Sequence, residues 1–204
     1  MRKRFLNVGG GDKNVPVPSH YAEWDHLLLD IDPDVGPDVC LDARELAALE
    51  QGQFDAIYCS HNLEHYFAHD VPKVLDGFHK VLKPDGFAEI RVPDIGLLMK
   101  IVAEHNLDID DVLYHSGRGP IMVKDILYGH GAQIAQSGVD FYAHKTGFTQ
   151  KSLARALQAA NFETIAFTAG RYLEIAGFAF KENLTQAQWE SFKERIGEIR
   201  YSYT

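Results

Sequence analysis

Three consecutive glycines and two strand-end carboxylates are the residues whose types and spacing point most directly to chemistry. Gly9–Gly11 follow a short apolar run at residues 5–8, and Asp30 and Asp42 each end a later apolar run. Glycine allows the backbone to turn sharply and to lie close against a ligand. A carboxylate at the end of the next strand can accept hydrogen bonds from ribose hydroxyls. The pattern therefore predicts a nucleoside-binding site.

The residues after the glycines argue against a bound diphosphate. The dinucleotide fingerprint needs a further glycine, where this chain has Asn14, and a helix N-terminus that faces the phosphates. Pro16 and Pro18 follow instead, and each proline biases the residue before it to an extended conformation. We therefore expect no helix directly after the glycines and a nucleoside ligand without phosphates.

A cluster of histidine and glutamate after the fourth predicted strand offers a second kind of chemistry. The spacing of His61, Glu64 and His65 puts them on one face of a turn that leads into a helix. That face could bind a divalent metal, or His65 could serve as a general base. Alternatively, His61 packs beside the ligand, Glu64 holds its surroundings and His65 supports the strand end. Tyr142 and His144 begin a segment that could reach the same site, although a structural hydrogen bond for His144 is an equal alternative.

The elements that must position these residues alternate between strand and helix. Helical spacing is clearest over residues 70–83, with Asp70 as the predicted cap. The alternation predicts right-handed βαβ units and an α/β, doubly wound sheet. In such a sheet the ligand lies beyond the carboxyl ends of the strands. The apolar runs that predict strands cover residues 5–8, 27–29, 39–41, 54–59, 87–92, 163–168 and 173–181.

Residues 106–147 interrupt this alternation after the fifth strand and are rich in glycine, histidine and tyrosine. About forty residues are too few for an independent core. We therefore expect this insertion to pack as a lid over the ligand site and to cover the acceptor. Its aromatic residues would line a partly apolar pocket, although a lid built from ordinary core residues would have the same composition. The expected organisation is a single domain over residues 1–204.

Composition and charge narrow the classes of partner. The chain has 204 residues, 46% hydrophobic and 24% charged, and its net charge of −9 argues against a nucleic-acid partner. Cys40 and Cys59 lie in predicted apolar strands and are expected to be reduced core residues. No apolar run approaches the roughly 20 residues that span a bilayer, and no apolar stretch typical of a signal peptide follows the basic residues 2–4. We therefore expect no membrane partner and a cytoplasmic location.

Five motifs together resemble the class I S-adenosylmethionine-dependent methyltransferases: LNVGGG, LLLDIDP, DARELAAL, FDAIYCSHNLEHY and VLKPDGFAEIRVPD. They occur in order within residues 5–95, and residues 141–180 resemble the closing segment of the family. The chain is most similar to the small bacterial type, methyltransferase type 11-like, with L-E-H after the fourth strand. Asn7, Lys13 and Asp85 depart from the family pattern. The resemblance implies a Rossmann-like methyltransferase fold with a mostly parallel seven-stranded sheet and a lid inserted after strand 5.

The resemblance also implies S-adenosylmethionine as cofactor and methyl transfer to a small-molecule acceptor. Asp30 would bind the ribose, with Asp32 as a competitor for that role, and Asp42 would bind the adenine amino group unless it is only a helix cap. The candidates for a catalytic group are His65, His61 and His144. The family pattern favours no metal at His61, Glu64 and His65. The implied cofactor-binding residues are Asn7, Gly9, Gly10, Gly11, Asp30, Ile31, Asp42, Ala43, Ser60 and His61.

Two other functions stay open. Asn7 cannot neutralise the ammonium group of the cofactor, so the chain could be a pseudoenzyme or interaction subunit that binds a partner through residues 106–147. A nicotinamide-dependent oxidoreductase would share the glycine loop, but Pro16, Pro18 and the lack of a plausible catalytic Tyr-x-x-x-Lys argue against it. The sequence does not determine the acceptor, the atom that is methylated, the need for a base or metal, or the oligomeric state.

Overall fold

A computed structural model of the chain describes residues 2–117, 119–170, 172–197 and 199–203. None of the helices in these ranges is long and apolar enough to cross a lipid bilayer. The strands are β1 (Arg4–Val8), β2 (Asp25–Asp30), β3 (Val39–Cys40), β4 (Phe54–Ser60), β5 (Leu82–Pro93), β6 (Val112–Ser116), β7 (Gly119–Met122), β8 (Thr164–Ala169), β9 (Glu174–Phe180) and β10 (Ile199–Tyr203). The α-helices are α1 (Val71–Val81), α2 (Ile95–His105), α3 (Val123–Tyr128), α4 (Gly131–Ser137), α5 (Gln150–Ala159) and α6 (Gln186–Ile196).

Within the described residues, eight strands form one sheet in the order β10-β8-β9-β5-β4-β1-β2-β3. The five neighbouring strands β5, β4, β1, β2 and β3 pair in parallel. Strand β9 is antiparallel to both of its neighbours, β5 and β8, and β10 is antiparallel to β8. The predicted doubly wound, mostly parallel sheet is therefore confirmed. Its seven expected strands are extended at one edge by β10, which the apolar pattern did not predict. Strands β6 and β7 form a separate hairpin.

The strand order reverses beside β1. From β1 the chain moves outward to β2 and β3, and it then returns to β4 on the other side of β1. The parallel register sets Val8, the last residue of β1, between Leu29 and Cys59. In open α/β sheets, ligands bind in the crevice at such a reversal. The residues that follow β1, β2 and β4 therefore meet at one place.

The fully described stretch between β1 and β2 contains no α-helix, as Pro16 and Pro18 predict. A single 3₁₀ turn, Ser19–Tyr21, lies there. Its Tyr21 is buried and stacks on Phe5 of β1, with 4.4 Å between the ring centroids. Tyr21 therefore covers β1 where a helix between β1 and β2 is missing, and α6 adds Phe192 to the same aromatic cluster. The other members of this cluster include Phe87, Phe178 and Phe180.

Helix α1 covers the opposite face with the apolar side chains that the helical spacing predicts. Val74, Leu75 and Phe78 are fully buried there. Asp70 stands at the N-cap position, as predicted, but its side chain accepts no hydrogen bond from a backbone N–H of the helix. Pro72 in the first turn offers no N–H, and the Asp70 carboxylate instead accepts from Lys73 Nζ at 2.9 Å.

The 106–147 segment contains the β6–β7 hairpin, α3, α4 and a 3₁₀ turn at Asp140–Tyr142. Val123 and Ile126 of α3 pack in one cluster with Leu98 of α2 and Leu173, which precedes β9. The amide of Lys145, near the end of this stretch, donates to the carbonyl oxygen of Glu64 at 2.8 Å. These contacts attach the insertion to the carboxyl edge of the sheet.

The two cysteines differ in burial. Cys59 of β4 is buried, as predicted, and burial raises the pKa of its thiol. Cys40 is exposed, so the prediction that it belongs to the core is wrong. The reason is that β3 is a two-residue strand at the edge of the sheet. Both thiols are free.

Candidate cofactor and acceptor site

The glycine turn leads from β1 into the crevice. Gly9 and Gly11 adopt left-handed φ angles of +67° and +66°, and the Gly9 amide donates to the carbonyl oxygen of Leu29 at 2.8 Å. A Cβ on Gly9 would overlap the side chain of Asn62, and a Cβ on Gly10 would overlap that of Asn7. Glycine is therefore required at these two positions by the side chains packed against them, whereas no atom lies within 4 Å of the Cβ position of Gly11.

Asp30 lies at the end of β2, directly beside this turn, and is only 9% exposed. Its Oδ2 accepts from the Gly11 amide at 3.0 Å and its Oδ1 from the Asp32 amide at 3.1 Å. Each carboxylate oxygen can accept two hydrogen bonds, so Asp30 can hold the turn and still accept from a ligand. Asp32 has a local partner of its own, because its carboxylate accepts from the Asp34 amide at 2.9 Å.

Two cavities adjoin the strand ends and share His65. The larger, of about 770 Å³, extends from the glycine turn to the insertion, where Tyr114, Tyr142 and His144 line it. The smaller, of about 130 Å³, lies between Ile31 after β2, Asp42 after β3 and a wall of aromatic side chains. The aromatic residues of that wall are Tyr66, Phe67 and Phe141.

Asp42 lines the smaller cavity and is held by Arg44. It precedes the 3₁₀ turn Ala43–Ala48, and its carboxylate accepts from the Arg44 amide at 2.9 Å and from Arg44 Nη2 at 2.6 Å. Burial alone would raise the pKa of Asp42, but the hydrogen bonds from Arg44 outweigh burial and lower that pKa. The carboxylate is therefore ionised at neutral pH. The side chain of Ala43 is buried and does not line the cavity.

Glu64 lies among three histidines and is 1% exposed. Neither of its carboxylate oxygens has a hydrogen-bond partner among the described residues. Its Oε1 is 3.4 Å from Nδ1 of His61 and 4.0 Å from Nε2 of His144, and Nε2 of His61 is 3.1 Å from Glu174 Oε2. Partial burial would lower the pKa of His61, but the carboxylates of Glu174 and Glu64 raise it to about 9. His61 is therefore protonated at neutral pH.

Backbone carbonyl groups orient the rings of His65 and His144. Nδ1 of His144 is 2.9 Å from the Ile126 carbonyl oxygen, and Nδ1 of His65 is 3.0 Å from the Ala143 carbonyl oxygen. Nε2 of His65 is also 3.1 Å from the carbonyl oxygen of His61. Burial lowers the pKa of His144. The predicted group of His61, Glu64 and His65 is thus joined by a histidine of the insertion.

Four residues predicted to bind cofactor line neither of these cavities: Asn7, Asp30, Ala43 and Ser60. Asn7 is 3% exposed beneath Gly10, and its Nδ2 is 3.2 Å from Nε2 of His26. Ser60 lines a different cavity, of about 650 Å³, together with Tyr58 and Arg91. Tyr58 and Ser60 are two residues apart on β4 and share one face of the sheet.

Several residues at the site were missed by sequence reasoning. Asn62 and Tyr66 flank the L-E-H motif, so their position in the sequence was an available signal. Glu174 had no such signal, because only the antiparallel pairing of β9 with β5 brings it opposite Pro93 and within reach of His61.

Comparison with known proteins identifies the family. Residues 2–166 match the sequence profile of a methyltransferase domain. No curated protein matches the chain. Among solved structures, a protein of Pyrococcus horikoshii is similar with a TM-score of 0.55 and 14% identity, over 89% of this chain and 83% of that one. An S-adenosylmethionine-dependent methyltransferase of Methanosarcina mazei has a TM-score of 0.53 and 14% identity, over 87% and 90%.

A further similar structure is an S-adenosylmethionine-dependent methyltransferase of Archaeoglobus fulgidus, with a TM-score of 0.51 and 14% identity over 87% of this chain and 86% of that one. At such low identity these structures support the fold alone. The family is shown by the sequence match, which covers residues 2–166 of 204. The chain therefore belongs to the methyltransferase domain family of S-adenosylmethionine-dependent enzymes.

Proposed function

We propose that this enzyme transfers the methyl group of S-adenosylmethionine to a small-molecule acceptor in the larger cavity. The lining of that cavity carries the proposal, because Gly9–Gly11 and the insertion residues Tyr114 and Tyr142 line it together. Its volume of about 770 Å³ lies within the range of about 300–1,000 Å³ that is usual for small-molecule sites. Residues 106–147 act as the cover of the acceptor.

The glycine turn and the strand-end acids hold the cofactor in this proposal. When bound, S-adenosylmethionine supplies a methyl group that is already activated on a sulfonium. Gly9–Gly11 face the methionine part, and the carboxylate of Asp30 accepts from the ribose hydroxyls. Asp42 and Ile31 contact the adenine in the smaller cavity. Asn7 supports the turn from below, because it is buried under Gly10.

None of the three histidine candidates suits the role of a simple general base. His61 carries a proton at neutral pH, because two carboxylates raise its pKa to about 9, and it therefore acts as a hydrogen-bond donor. Both ring nitrogens of His65 lie within 3.1 Å of carbonyl oxygens. Nε2 of His144 faces Glu64 at 4.0 Å. The main contribution of the side chains to transfer is then to align the acceptor with the methyl group.

The test combines calorimetry with a turnover assay of the purified protein. We expect saturable binding of S-adenosylmethionine and S-adenosylhomocysteine, and release of S-adenosylhomocysteine with a member of a small-molecule acceptor panel. RNA and DNA are included, and the net charge of −9 predicts no turnover with either. Failure to bind either nucleoside would contradict the proposal.

A cofactor-binding pseudoenzyme is the second candidate function, and the amide of Asn7 is the observation that favours it. Binding of S-adenosylmethionine without turnover on the whole panel would support this alternative. The nicotinamide-dependent oxidoreductase finds no support in the family to which the chain belongs.

Asp30→Ala is expected to weaken S-adenosylmethionine affinity about tenfold or more. The substitution removes both the ribose acceptor and the hydrogen bond to the Gly11 amide, and a hydrogen bond to a charged group contributes about 1.5–3 kcal/mol. Calorimetry measures the change, with Asp32→Ala as the matched control. Unchanged affinity in Asp30→Ala together with a loss in Asp32→Ala would move the ribose role to Asp32.

A further inference from the structure

We propose that Glu64, His65 and His144 form a binding site for one divalent transition-metal ion, such as Zn²⁺, at the wall of the larger cavity. One ligand atom from each of these residues lies within 4.8 Å of the others. Two imidazoles and one carboxylate are a ligand set that binds divalent zinc and iron in proteins and leaves coordination positions open.

The buried carboxylate of Glu64 is the first observation that points to a cation. The side chain is 1% exposed, and neither oxygen has a hydrogen-bond partner among the described residues. Buried carboxylates are normally paired or bound to metals, because an unpaired charge in the interior is costly. His61 offers only a long ion pair at 3.4 Å, and its other ring nitrogen faces Glu174. Charge-assisted hydrogen bonds are shorter, at about 2.7–2.9 Å.

The orientation of the two histidine rings is an independent observation. In each ring Nδ1 lies at hydrogen-bond distance from a backbone carbonyl oxygen, at 3.0 Å for His65 and 2.9 Å for His144. A proton on Nδ1 satisfies that carbonyl, and in His144 it leaves the lone pair on Nε2. Histidines that bind metals are held in this way, with the second ring nitrogen donating to a carbonyl or carboxylate. Nε2 of His65 also lies 3.1 Å from the His61 carbonyl oxygen, so this ring must turn away from that oxygen to bind an ion.

The spacing of the ligand atoms suits an ion better than a direct contact. Nε2 of His144 and Oε1 of Glu64 are 4.0 Å apart, and with the His144 proton on Nδ1 neither atom has a hydrogen to offer the other. Ligand atoms that share one ion at bond lengths of about 2.0–2.2 Å lie about 3–4 Å from each other. A small cation between them would satisfy both lone pairs.

The site differs from the one that the sequence suggested. His61 was grouped with Glu64 and His65 by spacing, but among the described residues the converging set contains His144 instead. The insertion therefore supplies a ligand, and metal binding would join residues 106–147 to the L-E-H turn. The ion would adjoin the acceptor, because His65 and His144 both line the larger cavity.

An ion at this position would help the acceptor to lose a proton, a role that none of the three histidines suits. A hydroxyl oxygen of an acceptor bound at an open coordination position would lose its proton to water more readily, because the cation stabilises the resulting oxyanion. This use of the ion rests on the proposed methyl transfer, whereas binding of the ion does not.

The test is calorimetric titration of metal-free full-length protein with Zn²⁺ in the absence of S-adenosylmethionine. We expect one Zn²⁺ per chain and a loss of affinity of about a hundredfold in Glu64→Gln and in His144→Ala, since even residues that only orient metal ligands contribute about 10–100-fold. His115→Ala is the matched control, because His115 is an exposed histidine of the same insertion. It should bind Zn²⁺ like the wild type.

Thermal unfolding distinguishes the loss of a metal-binding side chain from damage to the fold. Zn²⁺ should raise the Tm of the wild type. Glu64→Gln should still unfold cooperatively without metal, because glutamine keeps the shape of the side chain and His61 keeps its contact with Glu174, and it should abolish the increase in Tm caused by Zn²⁺. The proposal is overturned if the wild type binds no Zn²⁺, or if Glu64→Gln and His144→Ala bind it unchanged. S-adenosylmethionine binding is measured in the same samples, so a wild type that binds the cofactor but no Zn²⁺ refutes this inference alone.

Discussion

Gly9→Ala is expected to reduce the affinity for S-adenosylmethionine about a hundredfold. Gly9 has a φ of +67°, and an alanine Cβ there would overlap the side chain of Asn62. A residue with a Cβ pays about 1–2 kcal/mol in the left-handed conformation, and the overlap forces the turn or Asn62 to move in addition. A hundredfold loss corresponds to about 2.7 kcal/mol. Calorimetry with S-adenosylmethionine and S-adenosylhomocysteine measures the effect.

Gly36→Ala is the control, because it has the backbone penalty of a Cβ in the left-handed conformation without the steric overlap. Gly36 has a φ of +64°, but no atom lies within 4 Å of the position of its Cβ. This variant should lose stability and retain cofactor affinity within about threefold, which is about 0.7 kcal/mol. The double variant Gly9→Ala with Asn62→Ala should recover part of the lost affinity, because the overlapping side chain is gone. Equal affinity losses in Gly9→Ala and Gly36→Ala would show that the turn has no special role.

Glu89→Ala is expected to lower the free energy of unfolding by about 3 kcal/mol. Glu89 on β5 is fully buried and is paired with Arg91 Nη2 at 2.8 Å and with His20 Nε2 at 2.8 Å. Removing one partner of a buried ion pair costs about 3–5 kcal/mol, because the remaining charge is left without compensation. The lower value applies because Arg91 keeps Glu174, at 3.1 Å. Urea denaturation measures the change.

Glu190→Ala is the control for that stability measurement. Glu190 is exposed on α6 and pairs with Lys193 at 2.7 Å. Exposed ion pairs contribute about 0–1 kcal/mol, so this variant should unfold almost like the wild type. The isosteric Glu89→Gln should destabilise by a comparable amount to Glu89→Ala if charge is the cause. A loss with Glu89→Ala no larger than with Glu190→Ala would refute the argument from burial.

The positions of most strands and the turn chemistry could be predicted because they follow from local preferences. Apolar runs specified β1, β2 and β4, the first two of them ending in glycine and aspartate, and Pro16 and Pro18 correctly excluded a helix after the glycines. The short apolar run of the edge strand β3 did not predict burial correctly. Cys40 lies in a two-residue edge strand, and its apolar neighbours could not reveal that one face of β3 has no cover.

What the sequence determined by itself is the fold, the family and the strand ends at which we propose that the cofactor binds, because backbone conformation and hydrophobic period depend on near neighbours. Only the tertiary structure decided which distant side chains meet at those ends. The antiparallel register of β9 brings Glu174 to His61, and the packing of the insertion brings His144 to Glu64. Such contacts depend on strand register and on the burial of whole segments, and no spacing along the chain encodes them.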